Sequence, residues 1–187
     1  MSSERSEVFQ AVCIGNLLDK LGVERYSVMG TSYGGFVAYN MAKLWPERVE
    51  KVVIASSAVN KRLSDNGPLL ERSKNTEVKE IKDLMLPKTA KNLRSLIELA
   101  VYKRPYVLPD FLLNGFLRNL YSDNIDQKKE LLDGLILGRD NTVDVSPLQQ
   151  EVLIVWGEHD KIFLLEKAVE LEEYDENSDH NFAMYII

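Results

Sequence analysis

One cysteine, two histidines and no apolar run of bilayer length set the first limits on this 187-residue chain. Cys13 stands alone, so no internal disulfide can form and nothing points to an oxidising compartment. Its place in an amphipathic stretch predicts a small buried or half-buried side chain. No uncharged apolar segment approaches the ~20 residues that span a bilayer. The opening Met-Ser-Ser-Glu-Arg-Ser-Glu also lacks the apolar core of a signal peptide, so a cytoplasmic protein is expected. A basic excess is missing too: the net charge of −6 argues against a nucleic-acid partner, which needs a cationic face. The Gly-Lys-Ser/Thr of a phosphate loop is absent. Hydrophobic residues, at 45%, are numerous enough for one core and a small second lobe.

Against these absences stands one dense motif. Residues 26–36 read Tyr-Ser-Val-Met-Gly-Thr-Ser-Tyr-Gly-Gly-Phe and contain G-x-S-x-G, with Ser32 between Gly30 and Gly34. An apolar strand enters the motif and a helical pattern leaves it from Tyr33 to Leu44. A reversal that sharp forces the central side chain into a strained, outward-pointing conformation. Glycine is expected on both sides because a side chain there would meet the neighbouring strand or helix. Ser32 is thus the candidate nucleophile, held near the positive end of a helix. The plainer alternative is a Gly/Ser turn between two elements.

The surrounding pattern alternates helix and strand. Val8, Ala11, Val12, Leu18 and Leu21 recur at helical spacing before Gly22. Strands are predicted at Tyr26–Met29, Val49–Ser56 and Glu151–Trp156, apolar enough to be covered on both faces of a parallel sheet. The helix from Tyr33 turns Phe36, Val37, Met41 and Leu44 inward. Residues 60–147 carry no strand-like run. Leucine-rich segments there, broken by Pro87, Pro105 and Pro109, predict a helical insertion. The core is accordingly assigned to 1–59 and 148–187, the insertion to 60–147. Gly157-Glu-His-Asp160 follows the third strand, and a helix is predicted from Leu164 to Tyr174.

Three blocks carry a family resemblance: Val28-Met-Gly-Thr-Ser-Tyr-Gly-Gly-Phe-Val-Ala-Tyr39, Trp45-Pro-Glu-Arg-Val-Glu-Lys-Val-Val-Ile-Ala-Ser-Ser57 and Gln150-Glu-Val-Leu-Ile-Val-Trp-Gly-Glu-His-Asp160. Over about residues 7–174 the chain resembles the α/β-hydrolase superfamily, in particular plant members akin to lipases, esterases and carbon–carbon bond hydrolases. The resemblance implies a parallel α/β sheet with a helical lid at 60–147. It implies Ser32 as nucleophile, Asp160 as triad acid and the backbone N–H of Tyr33 as an oxyanion donor. Read from the residues alone, the plainer alternative for Asp160 is a loop aspartate or the N-cap of the next helix. A serine at the elbow disfavours epoxide opening and halide displacement, which use aspartate there. Neither metal nor organic cofactor is implied, and the substrate class is a small apolar ester or ketone. Phe111, Phe116 and Leu117 are the lid side chains that could line a pocket.

The chain also departs from the family. The oxyanion loop that the family places before the elbow has no counterpart, and the closing strand and histidine loop are not recognisable. A chain truncated at both ends is expected. His159 adjoins Asp160 on one loop and reads as a loop residue, whereas His180 could serve as base only if the acidic tail folded back. Two further possibilities follow, an inactive fragment and a non-catalytic binder of a small ligand under the lid. A sheet of three parallel strands with both edges open would be marginal or prone to aggregate.

Overall fold

The computed structural model describes residues 4–103, 108–139, 145–175 and 182–187. Helix α1 (Glu7–Lys20) begins where the Ser6 hydroxyl accepts the Phe9 N–H at 3.1 Å, satisfying one of the first-turn donors. Gly22, at φ 68°, follows its end and turns the chain into β1 (Tyr26–Thr31). Next come α2 (Tyr33–Leu44) and β2 (Val49–Ala55). After the helical segment the chain returns as β3 (Glu151–Trp156), a helix Leu165–Asp175 and β4 (Phe182–Ile186). The helices between β2 and β3 are α3 (Asn66–Ser73), α4 (Ile81–Met85), α5 (Ala90–Ala100), α6 (Asp110–Phe116) and α7 (Ile125–Asp133), so the helix after β3 is α8. A π-helical turn, Leu117–Tyr121, follows α6.

All pairings are parallel, in the order β1-β2-β3-β4. The C-terminal segment Phe182–Ile186 is therefore a fourth strand of the sheet. Three strands with two bare edges is corrected to four, with β4 covering the outer edge of β3. Register aligns Gly30, Ile54, Ile154 and Met184 in one row, and Met29, Val53, Leu153 and Ala183 in the next. Successive side chains of a strand point to opposite faces, so these rows belong to opposite faces.

The two faces differ. Ile54, Val52, Val152, Ile154 and Trp156 are buried with Phe36, Tyr39 and Ala42 of α2 and Ala168 and Leu171 of α8. On the opposite face Met29 is 70% exposed, Leu153 37% and Tyr185 63%. The expectation of strands covered on both faces fails for a topological reason. The strands advance across the sheet in one direction, and right-handed crossovers then place α2 and α8 on the same side.

Helix α1 also packs differently from its predicted stripe. The buried positions are Glu7, Ala11 and Gly15, whereas Leu21 and Cys13 are exposed. A Cβ at Gly15 would lie 2.4 Å from the Trp45 ring, so the indole seats where the helix carries no side chain. That contact turns Cys13 outward, correcting the expectation of a buried thiol. Leu44 is likewise exposed at the end of α2.

The chain divides into two compact units, Met1–Arg62 with Gly134–Glu158 and Phe163–Ile187, and Leu63–Asp133 with His159–Ile162. The second has its own core of Leu69, Val78, Leu84 and Leu99, against which Ile162 packs. Phe111 and Phe116 are exposed, while Leu113 between them is buried.

Candidate active site

Ser32 sits at φ 52°, ψ −123°, immediately before the first residue of α2. A non-glycine residue holds that conformation only when its surroundings impose it, at a cost of about 1–3 kcal/mol. The Ser32 N–H donates to Ala55 O at 3.1 Å, tying the turn to the end of β2. Its carbonyl accepts from Gly35 N at 2.9 Å and from the Ser57 hydroxyl at 2.6 Å. With the backbone gripped on both sides, the side chain is left exposed.

Glycine is required at two positions near this turn, of which only one, Gly30, is a flanking position of the motif. A Cβ on Gly30 would fall 2.0 Å from Gly34 O, and one on Gly35 would fall 2.3 Å from Ser57 Oγ. At Gly34 a Cβ would meet nothing within 4 Å. The expectation of a clash on both sides of Ser32 therefore holds at Gly30 and moves to Gly35 on the helical side.

Tyr33 supplies the first amide of α2, one of the N–H groups for which a helix has no internal acceptor. Its side chain runs the other way. The phenol oxygen accepts from Gln10 Nε2 at 2.8 Å, and the ring meets Phe36 edge-on at 5.9 Å. Burial, with a smaller contribution from the negative charge of Glu7, pushes the Tyr33 phenol up to about 12. Glu7 is itself fully buried. One carboxylate oxygen accepts from Ile136 N at 3.0 Å and Leu137 N at 2.9 Å, so α1 is fastened to the returning chain.

Asp160 lies in the loop after β3, half-buried, with Oδ1 accepting the Ile162 N–H at 2.8 Å. Helix α8 starts only at Leu165, so Asp160 turns its own loop and does not cap that helix. His159 is exposed and stacks on the Tyr102 ring, with centroids 3.8 Å apart and planes inclined by 36°. His180 lies outside the described residues. Among the described residues, no three His, Cys, Asp or Glu side chains gather closely enough to hold a metal ion. No helix among them is long and apolar enough to cross a membrane.

Ser57, Gln10 and Glu7 were not singled out by sequence. The faint signal for Ser57 was the run of small residues, Ala55-Ser-Ser-Ala58, just past a strand. Nothing local could reveal Glu7, whose partners stand 129 and 130 residues away.

The alpha/beta hydrolase fold family matches residues 3–182. A 2-hydroxy-6-oxononadienedioate/2-hydroxy-6-oxononatrienedioate hydrolase of Pseudomonas sp is 27% identical over 162 residues, covering 83% of this chain and 53% of that protein. The chain thus spans about half the length of that relative. The solved meta-cleavage product hydrolase from Pseudomonas fluorescens IP01 aligns with a TM-score of 0.66 at 21% identity, over 97% of this chain and 63% of that one. Homoserine O-acetyltransferase from Bacillus anthracis aligns with a TM-score of 0.68 at 15% identity, over 97% of this chain and 58% of that one. At these identities the structural likeness speaks for the fold alone, and one fold serves several chemistries. With a strained serine between β1 and α2 of a parallel sheet, and a family match along nearly its whole length, the chain belongs to the alpha/beta hydrolase fold family.

Proposed function

We propose that this protein is a serine hydrolase acting on an ester or on a carbon–carbon bond next to a carbonyl. The observation that carries the proposal is Ser32, a non-glycine residue at positive φ in a strand-to-helix reversal, with its side chain exposed. In an acyl transfer its oxygen bonds to the substrate carbonyl carbon, and the hydroxyl proton passes to a base and then to the departing alkoxide. Water repeats the sequence to release the acid and restore the serine. The Tyr33 amide, at the N-terminus of α2, is the proposed donor to the developing oxyanion. Asp160 is the proposed triad acid, orienting an imidazole and stabilising its charged form. His180 is the base candidate on this chain.

The relative of Pseudomonas sp is named for hydrolysing oxo-dienedioates, which favours small carbonyl substrates here as well. We take the substrate to be a small apolar ester or ketone, the 60–147 segment to be the lid over it, and the compartment to be the cytoplasm. An exposed, single Cys13 suits a reducing compartment.

A fluorophosphonate probe tests the nucleophile. Wild type is expected to be labelled and Ser32→Ala unlabelled; equal labelling of the two would remove the basis of the proposal.

A further inference from the structure

The four residues His159–Ile162, which contain Asp160, belong to the helical unit, and one side chain of that unit holds them most directly. Arg72, in the last turn of α3, donates from Nε to Lys161 O at 2.9 Å and from Nη2 to Ile162 O at 3.4 Å. The Lys161 carbonyl belongs to the same peptide as the Ile162 N–H, which is bonded to Asp160 Oδ1, and the Ile162 carbonyl belongs to the next. The guanidinium and the carboxylate therefore grip the same short stretch of backbone from two sides. The planar fork suits this task because two donors fix both position and orientation. Around it, Lys161 N reaches Leu99 O at 3.4 Å, His159 stacks on Tyr102, and Ile162 packs among Leu69, Val78, Leu84 and Leu99.

Resting on Asp160 as the triad acid, we propose that Arg72 is a positioning residue for that carboxylate. It acts through the backbone of residues 161–162 without touching substrate. A carboxylate that must hold an imidazole in one orientation loses its effect when its loop drifts. A displacement of about 1 Å is enough to cost up to roughly a hundredfold in rate. The orientation of the acid is then set within its own unit, by a side chain of α3.

Two readouts test this, one independent of activity. In Arg72→Met, which keeps the stem and removes the fork, amide exchange at Ile162 is expected to rise about tenfold while the sheet amides stay protected. Labelling of Ser32 by a fluorophosphonate is expected to slow about tenfold. Arg72→Lys, which keeps the charge with a single point donor, should recover part of each effect. In an Asp160→Asn background, Arg72→Met should slow labelling by less than about twofold, because both changes act on one unit. Unchanged exchange at Ile162 in folded Arg72→Met would overturn the proposal. So would an equal slowing in both backgrounds, since that marks a general loss of structure. If Arg72→Met does not fold, Tyr102→Leu removes the support on His159 and is judged by the same exchange and labelling criteria. Wild type and Ser32→Ala labelled alike would overturn the catalytic role together with the hydrolase reading. Raised exchange in Arg72→Met would then show that the failure lies in the reading and not in Arg72's hold on the loop.

Discussion

At Ser32, four neighbours decide what one hydroxyl can do. Gly30 must lack a side chain because Gly34 O would stand 2.0 Å from its Cβ. Gly30→Ala is therefore expected to lose about 3 kcal/mol or more, or to fail to fold, as overpacking against rigid backbone does. Gly34→Ala should be neutral or stabilising by about 0.5–1 kcal/mol, since it adds a helix-favouring residue in open space. Urea unfolding of the two variants separates them; equal losses would show that the turn is packed otherwise. Ser57→Ala removes a donor to Ser32 O and is expected to cost about 1 kcal/mol without changing the urea slope. Tyr33 adds a pH signature. Its folded pKa is raised to about 12 while an unfolded tyrosine titrates near 10, so the fold favours the neutral phenol. The stability it lends is fully present below about pH 10 and is lost as pH rises toward 12. Absorbance titration at 295 nm should show a late-ionising tyrosine in wild type that is missing from Tyr33→Phe. Ser32 and its turn were legible in sequence because strand, turn and helix are contiguous. Gln10 and Ser57 were not, because their contacts cross from other elements.

At the scale of elements, β1, β2, β3 and the long helices followed from local pattern, whereas β4 as a member of the sheet, and the pairing of all four strands, depended on what lay far away. The N-terminal helix shows the difference. Its apolar stripe packs only in part: Ala11 is buried and Leu18 packs beside it, but Leu21 is exposed, and Glu7 and Gly15 complete the buried side. Small residues admit close approach, and the Trp45 indole fills the space over Gly15. Glu7 would read as a solvated first-turn acid favoured by the helix dipole. Folding instead buries it against the amides of Ile136 and Leu137. Glu7→Ala leaves the Ile136 and Leu137 N–H groups without their acceptor and is expected to cost about 1–3 kcal/mol, measured by urea unfolding. A loss under about 0.5 kcal/mol would show that water or another group takes the carboxylate's place. Helix α3 is not legible in the sequence because it is short and opens on Asn-Gly-Pro, a turn-forming sequence. Arg72, in its last turn, is no more legible than the helix that carries it.

Across the whole molecule, the α/β class was readable from the alternation of strands and helices, but the bare face of the sheet was not. An apolar strand sequence states that a strand can be covered on both sides and cannot state on which side the connections pass. Here the right-handed crossovers through α2 and α8 fall on one side, leaving Met29, Leu153 and Tyr185 open on the other. An apolar face of this kind favours association. Sedimentation velocity at tens of micromolar is expected to show concentration-dependent self-association, reduced in Met29→Lys/Tyr185→Lys. A monomer with one cooperative urea transition at the same concentration would contradict that expectation.

The hydrolase assignment is tested most directly by mapping the site of a covalent adduct. After brief exposure to a fluorophosphonate, tryptic digestion and mass spectrometry should place a single adduct on Ser32, within the peptide Tyr26–Lys43. Denaturation beforehand should abolish it. An adduct on another residue, or none on the folded protein at probe excess, would contradict the assignment of Ser32 as nucleophile.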